Sequence, residues 1–372
     1  MDNKKKVLLC GPRLQNKNAL YGGGTGGYTR NMTVYLKYFN SDEFLLVPCF
    51  QTTRNKNLFK VLQFPVRLIN DLYTFILNLI KEKPAVIHIM GQYRSAITRE
   101  FFLVLLSKLF RKKIIYEIKA GSFIAFYNKA NYFKKSLTDY VLRHSEVILA
   151  EGEIYIDFIN NITGTNKCYY FPNFVPSDEV PDLISPKFKS NVLNVLFVGY
   201  CYEGKGIFEL VRGLDFCAKN NEIIKLTIVG EESPEFGTWI DDYTWSGNLT
   251  IVRLGKLPHA EVLQQMSVND VYFYPTKHGG EGHNNSINEA MMNFMTIVTT
   301  KIGFLTSVLG DSAYFLDEVN DEAIYDIVRH IIANKHEAVE KATKAKERLV
   351  EYYTSFKQIP ILNSYYKIAV KS

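Results

Sequence analysis

The stretch YPTKHGGEGHNNSINEAM, residues 274–291, decides how the second half of the chain is read. Two carboxylates, Glu281 and Glu289, are separated by seven residues. Gly279, Gly280 and Gly282 loosen the backbone around the first. Asn284, Asn285 and Ser286 are N-cap residue types placed just before a helix that carries the second. Ser286-Ile-Asn-Glu289 also has the S-x-x-E form of a capping box, which accounts for Glu289 without any ligand. It does not account for a carboxylate set in a glycine loop beside a helix N-terminus.

The flanks of this stretch are short apolar runs, DVYFYP before it and TIVTT after it. The same alternation extends in both directions. Upstream come NVLNVLFVG (191–199), a helix over 206–219, IKLTIVG, NLTIVRLG and a helix over 259–267. Downstream a polar helical tail begins near 321. The first half has its own series: KVLLCG, a helix near 28–39, FLLVPCF, the amphipathic stretch 58–83, AVIHIM, a helix over 99–112, KIIYEIKAG, a helix near 133–143 and EVILAEG. Strands alternating with helices predict α/β domains with parallel sheets. CYYFPNFVPS breaks the first series, and the polar, proline-bearing segment 175–190 reads as a linker. Two Rossmann-like domains follow, 1–185 and 186–355, with a tail, 356–372, expected to pack back on the first. Ligands of such sheets bind outside the carboxyl ends of the strands, so the expected site is a cleft between the domains.

The chain has 372 residues, 47% of them apolar, enough for two cores. Five cysteines (Cys10, Cys49, Cys168, Cys201, Cys217) form no C-x-x-C pair, which argues for a reducing compartment and against a disulfide framework or zinc site. The longest apolar run, near FFLVLLSKLF, is far short of a spanning helix, and a cytoplasmic protein is expected. Charge is uneven. Residues 1–185 hold 25 Lys and Arg against 15 Asp and Glu, and residues 186–372 hold 19 against 23. A basic first half points to an anionic partner. SKLFRKK (107–113) and YFKKS (132–136) set basic beside large apolar residues, a pattern suited to an anionic membrane face. The 99–112 stretch reads equally well as a buried crossover helix.

Gly22-x-Gly24-x-x-Gly27 matches the dinucleotide-binding pattern in letters only. It begins eleven residues after the first strand ends at Gly11, and no acid follows the second strand to hold a ribose. A glycine loop feeding a helix still suits an anion. A lysine that opens a helix, Lys205-Gly206 after FVGYCYE, suits a diphosphate for the same reason. The strand ending in Gly230 and the glycine turn RLGKLPHAEVL complete the set.

FVGYCYEGKG and EGHNNSINEAM, in this order, resemble the C-terminal domain of retaining GT-B glycosyltransferases of family 4. YFPNFV is similar to a segment before that family's linker, and Gly26-Gly27 to its phosphate-approach loop. The resemblance implies a GT-B fold of two Rossmann-like domains, α/β in class. It implies transfer of a sugar from a nucleoside diphosphate sugar to an acceptor hydroxyl with retention. Surface polysaccharide assembly on a lipid carrier is the implied setting, at the inner face of the cytoplasmic membrane. No metal, no further cofactor and no nucleic acid partner is implied. The chain also contains no Asp-x-Asp pair, which disfavours the metal-dependent GT-A class.

By this resemblance Glu281 meets the donor sugar, Glu289 the ribose, and Lys205 the diphosphate. Gly26, Gly27, Gly199, Gly230, Leu257, Gly282, His283, Asn284, Asn285 and Ser286 line the donor site. Four departures from the family stand out: Tyr200 stands for its phosphate-binding arginine, His283-Asn284 for the usual Phe-Pro after Glu-Gly, Lys119 for an N-domain histidine, and Phe294 for a small glycine. Lys119 suits a phosphate or an acceptor oxygen and does not easily replace a histidine as acid or base at neutral pH. A GT-B-like sugar epimerase and a degenerate sugar-nucleotide binding protein share the same nucleotide site and remain as other readings.

Overall fold

A computed structural model describes residues 4–14, 24–52, 60–92, 96–182 and 187–372. Two compact units emerge, one from the described residues of 4–14, 27–173 and 355–372, the other from those of 24–26 and 174–354. The long segments pass from one unit to the other after Asn173 and after Thr354, where 185 and 355 were expected. The reason is local. Val175 N–H donates to the Tyr353 carbonyl at 2.9 Å. Lys187 Nζ binds the carbonyls of Met266, Ser267 and Asn269, which ties the end of the expected linker to the second unit.

The first unit runs β1 (Lys5–Gly11), α1 (Gly24–Tyr38), β2 (Phe44–Phe50), α2 (Lys60–Glu82), β3 (Val86–Gly91), α3 (Ile97–Leu109), β4 (Lys113–Ile118), α4 (Phe123–Lys129), α5 (Tyr132–His144), β5 (Val147–Ala150), α6 (Ile154–Thr163) and β6 (Cys168–Tyr170). Its sheet has the order β2-β1-β3-β4-β5-β6, with every pair parallel. The interior strands β3 and β5 are buried at every residue, as continuous apolar runs with both faces covered should be. The edge strand β2 is largely open.

Helix α1 starts at Gly24, four residues before the expected start at Tyr28. Gly24, Gly26 and Gly27 therefore lie in its first turn instead of a loop. The first-turn N–H groups have no intrahelical acceptor, so glycine's weak helix propensity matters less there. The Tyr28 hydroxyl fixes that turn by donating to the Gly91 carbonyl at 2.6 Å. Gly22 lies outside the described residues.

The second unit runs β7 (Val192–Val198), α7 (Ile207–Lys219), β8 (Ile223–Val229), α8 (Pro234–Asp242), β9 (Leu249–Gly255), α9 (His259–Val268), β10 (Val271–Tyr274), α10 (Asn285–Met292), β11 (Thr296–Thr300), α11 (Leu305–Leu309), β12 (Tyr314–Leu316), α12 (Asp321–Ala333) and α13 (Lys335–Tyr352). The sheet order is β12-β11-β10-β7-β8-β9, again all parallel. Phe197, Leu226, Ile228 and Phe273 meet Val211, Leu214, Ile240, Ile324 and Val328 in its core. The chain finishes in α14 (Ser355–Lys371), which packs on β3, β4 and β5 of the first unit.

That docking is partly polar. Tyr366 of α14 is fully buried, and its hydroxyl lies 2.8 Å from His88 Nδ1. His88 Nε2 is 3.2 Å from Glu117, which also accepts from Tyr35 and pairs with Lys119 at 3.4 Å. Burial alone would raise the Glu117 pKa. Lys119, His88 and Tyr35 outweigh it and hold the carboxyl at about 2.

Glycine is required where the loops after β7 and β8 touch. Gly230 has φ +148°, and a Cβ there would collide with the Gly199 carbonyl. Gly230→Ala is expected to lower stability by at least about 2 kcal/mol. Gly237→Ala, inside α8 with only Glu232 Oε2 near the added Cβ at 3.7 Å, should instead be neutral or raise stability by up to about 1 kcal/mol. Denaturant unfolding of the two variants checks the contrast.

Candidate active site

The second sheet fixes where a ligand can sit. Strands β7, β8 and β9 are laid down outward from the middle, and the chain then returns to place β10 on the other side of β7. The loops leaving β7 and β10 therefore part in opposite directions, and the crevice at their carboxyl ends is the switch point where open α/β sheets bind ligands. Both sharp motifs of the sequence fall on those two loops, 199–206 and 275–284, the second running on into α10.

The β7 loop leaves through Gly199, whose N–H donates to the Val229 carbonyl at 2.9 Å. Tyr200 is exposed and lies against Tyr202, with ring centroids 5.5 Å apart. Glu203–Lys205 form one 3-10 turn, and Gly206, with φ +66°, opens α7. A Cβ on Gly206 would strike the Pro275 carbonyl, so glycine lets the two loops close on each other. Lys277 N–H donates to the Gly204 carbonyl at 2.9 Å and completes the join.

This close approach brings Lys205 and Glu281 together. Their side chains form an ion pair, both mostly buried. Lys205 Nζ also donates to the Tyr274 hydroxyl at 2.6 Å and lies over its ring. Glu281 accepts from Tyr274 and from Thr276 Oγ1, each at 2.8 Å. Burial, then the nearby Glu281 charge, pushes the Tyr274 pKa well above its ordinary value. The phenol therefore stays a neutral donor. Asn284 Nδ2 reaches the same hydroxyl at 2.7 Å.

Asn284 is the N-cap of α10, and its Oδ1 accepts from Ser286 N–H at 3.0 Å. Ser286 is thus the second helical residue, and the capping box expected for Ser286 and Glu289 does not form. Glu289 is fully buried and instead meets His259 Nε2, at the start of α9, at 3.0 Å. Leu257 lies two residues before that histidine, half-buried. His283 turns inward. Its Nε2 is 2.8 Å from Asn288 Oδ1 and its ring packs against Tyr353, so the side chain is held inside the unit. Asn285 is buried at the first position of α10.

The structure therefore joins Lys205, Glu281 and Asn284 at Tyr274, reaches Ser286 through Asn284, and adds Glu289 with His259 as a second buried group. Sequence reading missed Tyr274, Thr276 and His259. Tyr274 and Thr276 had a signal, since residues at a strand's carboxyl end beside a glycine loop face the switch point. His259 had only its place at a helix start. Lys119 belongs to the first unit, at the carboxyl end of β4. It is buried and donates to the Phe171 carbonyl at 2.6 Å. Burial lowers its pKa, against the pull of Glu117 and Glu151.

Comparison with known proteins places this geometry. No curated protein matches the chain. Residues 182–349 match the family model described as glycosyl transferases group 1. Sucrose-phosphate synthase from Thermosynechococcus elongatus superposes with a TM-score of 0.72 at 13% identity, over 98% of each chain. A glycosyltransferase from Rickettsia africae gives 0.69 at 14% identity over 100% of each chain. Anabaena HepE, solved in complex with UDP and glucose, gives 0.67 at 11% identity over 97% of this chain and 99% of its own. At such identities the likeness is one of fold. The chain has the GT-B glycosyltransferase fold and carries a glycosyl transferases group 1 domain over 182–349.

Proposed function

We propose that the protein transfers a sugar from a nucleoside diphosphate sugar to an acceptor hydroxyl, with retention, in surface polysaccharide assembly on a lipid carrier. Such an enzyme would work in the cytoplasm at the inner, anionic face of the membrane. The observation that carries the reading is the Lys205–Glu281 pair at the switch point between β7 and β10, inside the segment that matches the glycosyl transferases group 1 model. The HepE complex with UDP and glucose supports the class of donor. Retention and the polysaccharide setting rest on the family-4 resemblance of the motifs.

The pair suggests how the site works. Breaking a glycosyl–phosphate bond builds negative charge on the leaving diphosphate, and a fixed cation there stabilises it. Lys205 is that cation. Without donor its charge is matched by Glu281. A bound diphosphate takes over as the anionic partner, and Glu281 is then released to accept from the donor sugar's hydroxyls. Glu289, oriented by His259, accepts from the ribose. Tyr200 leaves Lys205 without the second cation the family has, so the helix N-terminus and loop amides carry more of the phosphate charge. The scheme needs no metal.

Mixing the protein with a panel of nucleotide sugars and acceptor lipids tests the reading. Nucleotide release that depends on acceptor supports transfer. Conversion of the sugar without release would mark an epimerase, and thermal stabilisation with neither would mark a binding protein.

The charge match gives an unusual expectation. Lys205→Ala should weaken free nucleoside diphosphate binding by roughly ten- to a hundredfold, since a charge-assisted contact is worth about 1.5–3 kcal/mol. Glu281→Gln should tighten the same binding while turnover collapses, because Lys205 loses its competing anion. Calorimetric titration of both variants decides, and weaker binding by Glu281→Gln removes the exchange of partners from the mechanism.

Glu289→Gln keeps an acceptor but loses the charge facing His259. Its affinity for a ribonucleoside diphosphate should drop toward that for the deoxy analogue. Equal discrimination in wild type and variant would assign Glu289 to fold stability alone.

A further inference from the structure

Helix α2 is apolar on the side that faces away from its own unit. Asp71, Phe75 and Leu79 form its buried side. Val66, Ile69, Tyr73, Leu77 and Ile80 follow steps of three and four residues, so they share one stripe on the helix. These five are between 40 and 65% exposed, and no charged residue interrupts them. A lone exposed leucine needs no explanation, but a continuous stripe of this length marks an interaction surface.

The surroundings identify its partner. Lys81 lies in the last turn of α2 and Lys83 just follows it, and Arg111 and Lys112 follow α3. Val86 and Lys113, the first residues of β3 and β4, are register partners, so these four cations gather at the amino-terminal end of the strands. Leu109 and Phe110 stand exposed beside them. The only acids of α2 are engaged. Asp71 accepts from Thr52 N–H and faces Arg99, while Glu82 pairs with Lys6 at 2.8 Å. A second copy packed helix to helix on this stripe would bring no unpaired carboxylate of α2 to the basic ends. A bilayer of anionic lipids offers both an apolar layer and a negative surface.

The YFKKS stretch is a separate feature. It opens α5, whose other end leads into β5, so it lies a helix length away from the 109–113 cluster. No helix among the described residues is long and apolar enough to cross a membrane.

We propose that α2 lies in the headgroup region of an anionic lipid bilayer, with Val66, Ile69, Tyr73, Leu77 and Ile80 inserted and Lys81, Lys83, Arg111 and Lys112 over the phosphates. This deepens the membrane setting proposed above and rests on it for nothing but the biological surface. Binding to vesicles is measured apart from turnover.

The test is co-sedimentation of the full chain with vesicles of phosphatidylcholine alone or mixed equally with phosphatidylglycerol. Binding is expected only to the mixed vesicles and should weaken as salt rises. The double variant Ile69→Glu, Tyr73→Glu should lose vesicle binding, and neutralising Lys81, Lys83, Arg111 and Lys112 should reduce it about tenfold or more. Both positions of the double variant are exposed, so thermal melting and nucleoside diphosphate affinity should stay at wild-type values. Leu77→Ser with Ile80→Ser gives a second, uncharged version. Vesicle binding that survives both double variants, or no binding by wild type, overturns the proposal. A dimer in solution that the Ile69→Glu, Tyr73→Glu variant dissociates overturns it in favour of a second copy. Lost glycosyl transfer with retained vesicle binding would count against the enzyme reading alone.

Discussion

The return of the chain from β9, at one edge of the second sheet, to β10, beside β7 at its middle, is the constraint on which the candidate site depends. Parallel strands need crossovers, and a crossover that reverses direction leaves two neighbouring strand ends without a loop between them. The Lys205–Glu281 pair comes from the loops after β7 and β10. Gly206 follows from this, because those two loops must run close together, and a Cβ there would strike the Pro275 carbonyl. Gly230 serves the neighbouring contact between the loops after β7 and β8, against Gly199.

Bringing the loops together forces a cation and a carboxylate into one mostly buried space. Leaving either alone there would cost several kcal/mol. Paired, and surrounded by Tyr274, Thr276 and Asn284, they are satisfied. The arrangement is stable without a ligand, yet its positive half has the charge that a phosphate group seeks. In the transferase proposed above, a site built this way would hold its cation in position before a donor arrived, the preorganisation that electrostatic catalysis relies on. The same logic in the first unit gives a different result. Glu117 is shared among Lys119, His88 and Tyr35, with Tyr366 behind His88, so that network fastens α14 to the sheet.

The fold was legible because its strongest signals are periodic. TIVTT was read to the residue and NVLNVLFVG overran strand 192–198 by one residue at each end, since apolar runs bounded by glycine or helix signals leave little choice. The start of α1 was misread because glycine's low propensity argues against helix, while a first turn tolerates it. Helix α8 was missed although Ser233 caps it and Pro234 opens it, a recognisable start signal. Within the site, Lys205 and Glu281 were each singled out, but their pairing was not, because seventy-six residues of sequence separate them and only the switch-point geometry joins them. The capping box at Ser286 failed for a similar reason. Asn284 has a side chain as suited to the cap and stands two residues earlier, so the helix begins sooner and Glu289 is left for His259.

Phe294 shows how such a departure is absorbed. It follows α10 with φ +57°, a conformation in which a bulky residue loses about 1–2 kcal/mol relative to glycine. The backbone there is nonetheless regular. Phe294 N–H donates to the Met291 carbonyl at 3.2 Å and Met295 N–H to the Ala290 carbonyl at 3.1 Å, the paired bonds of a Schellman stop. Those bonds satisfy the last carbonyls of a helix whose every residue is buried, where water cannot reach them. The helix must stop there whatever residue occupies the position, because β11 begins at Thr296 and fills the next place in the sheet. Tertiary packing thus sets the turn and overrides the residue's own preference. The same packing holds Glu289 at a fixed depth below the crevice.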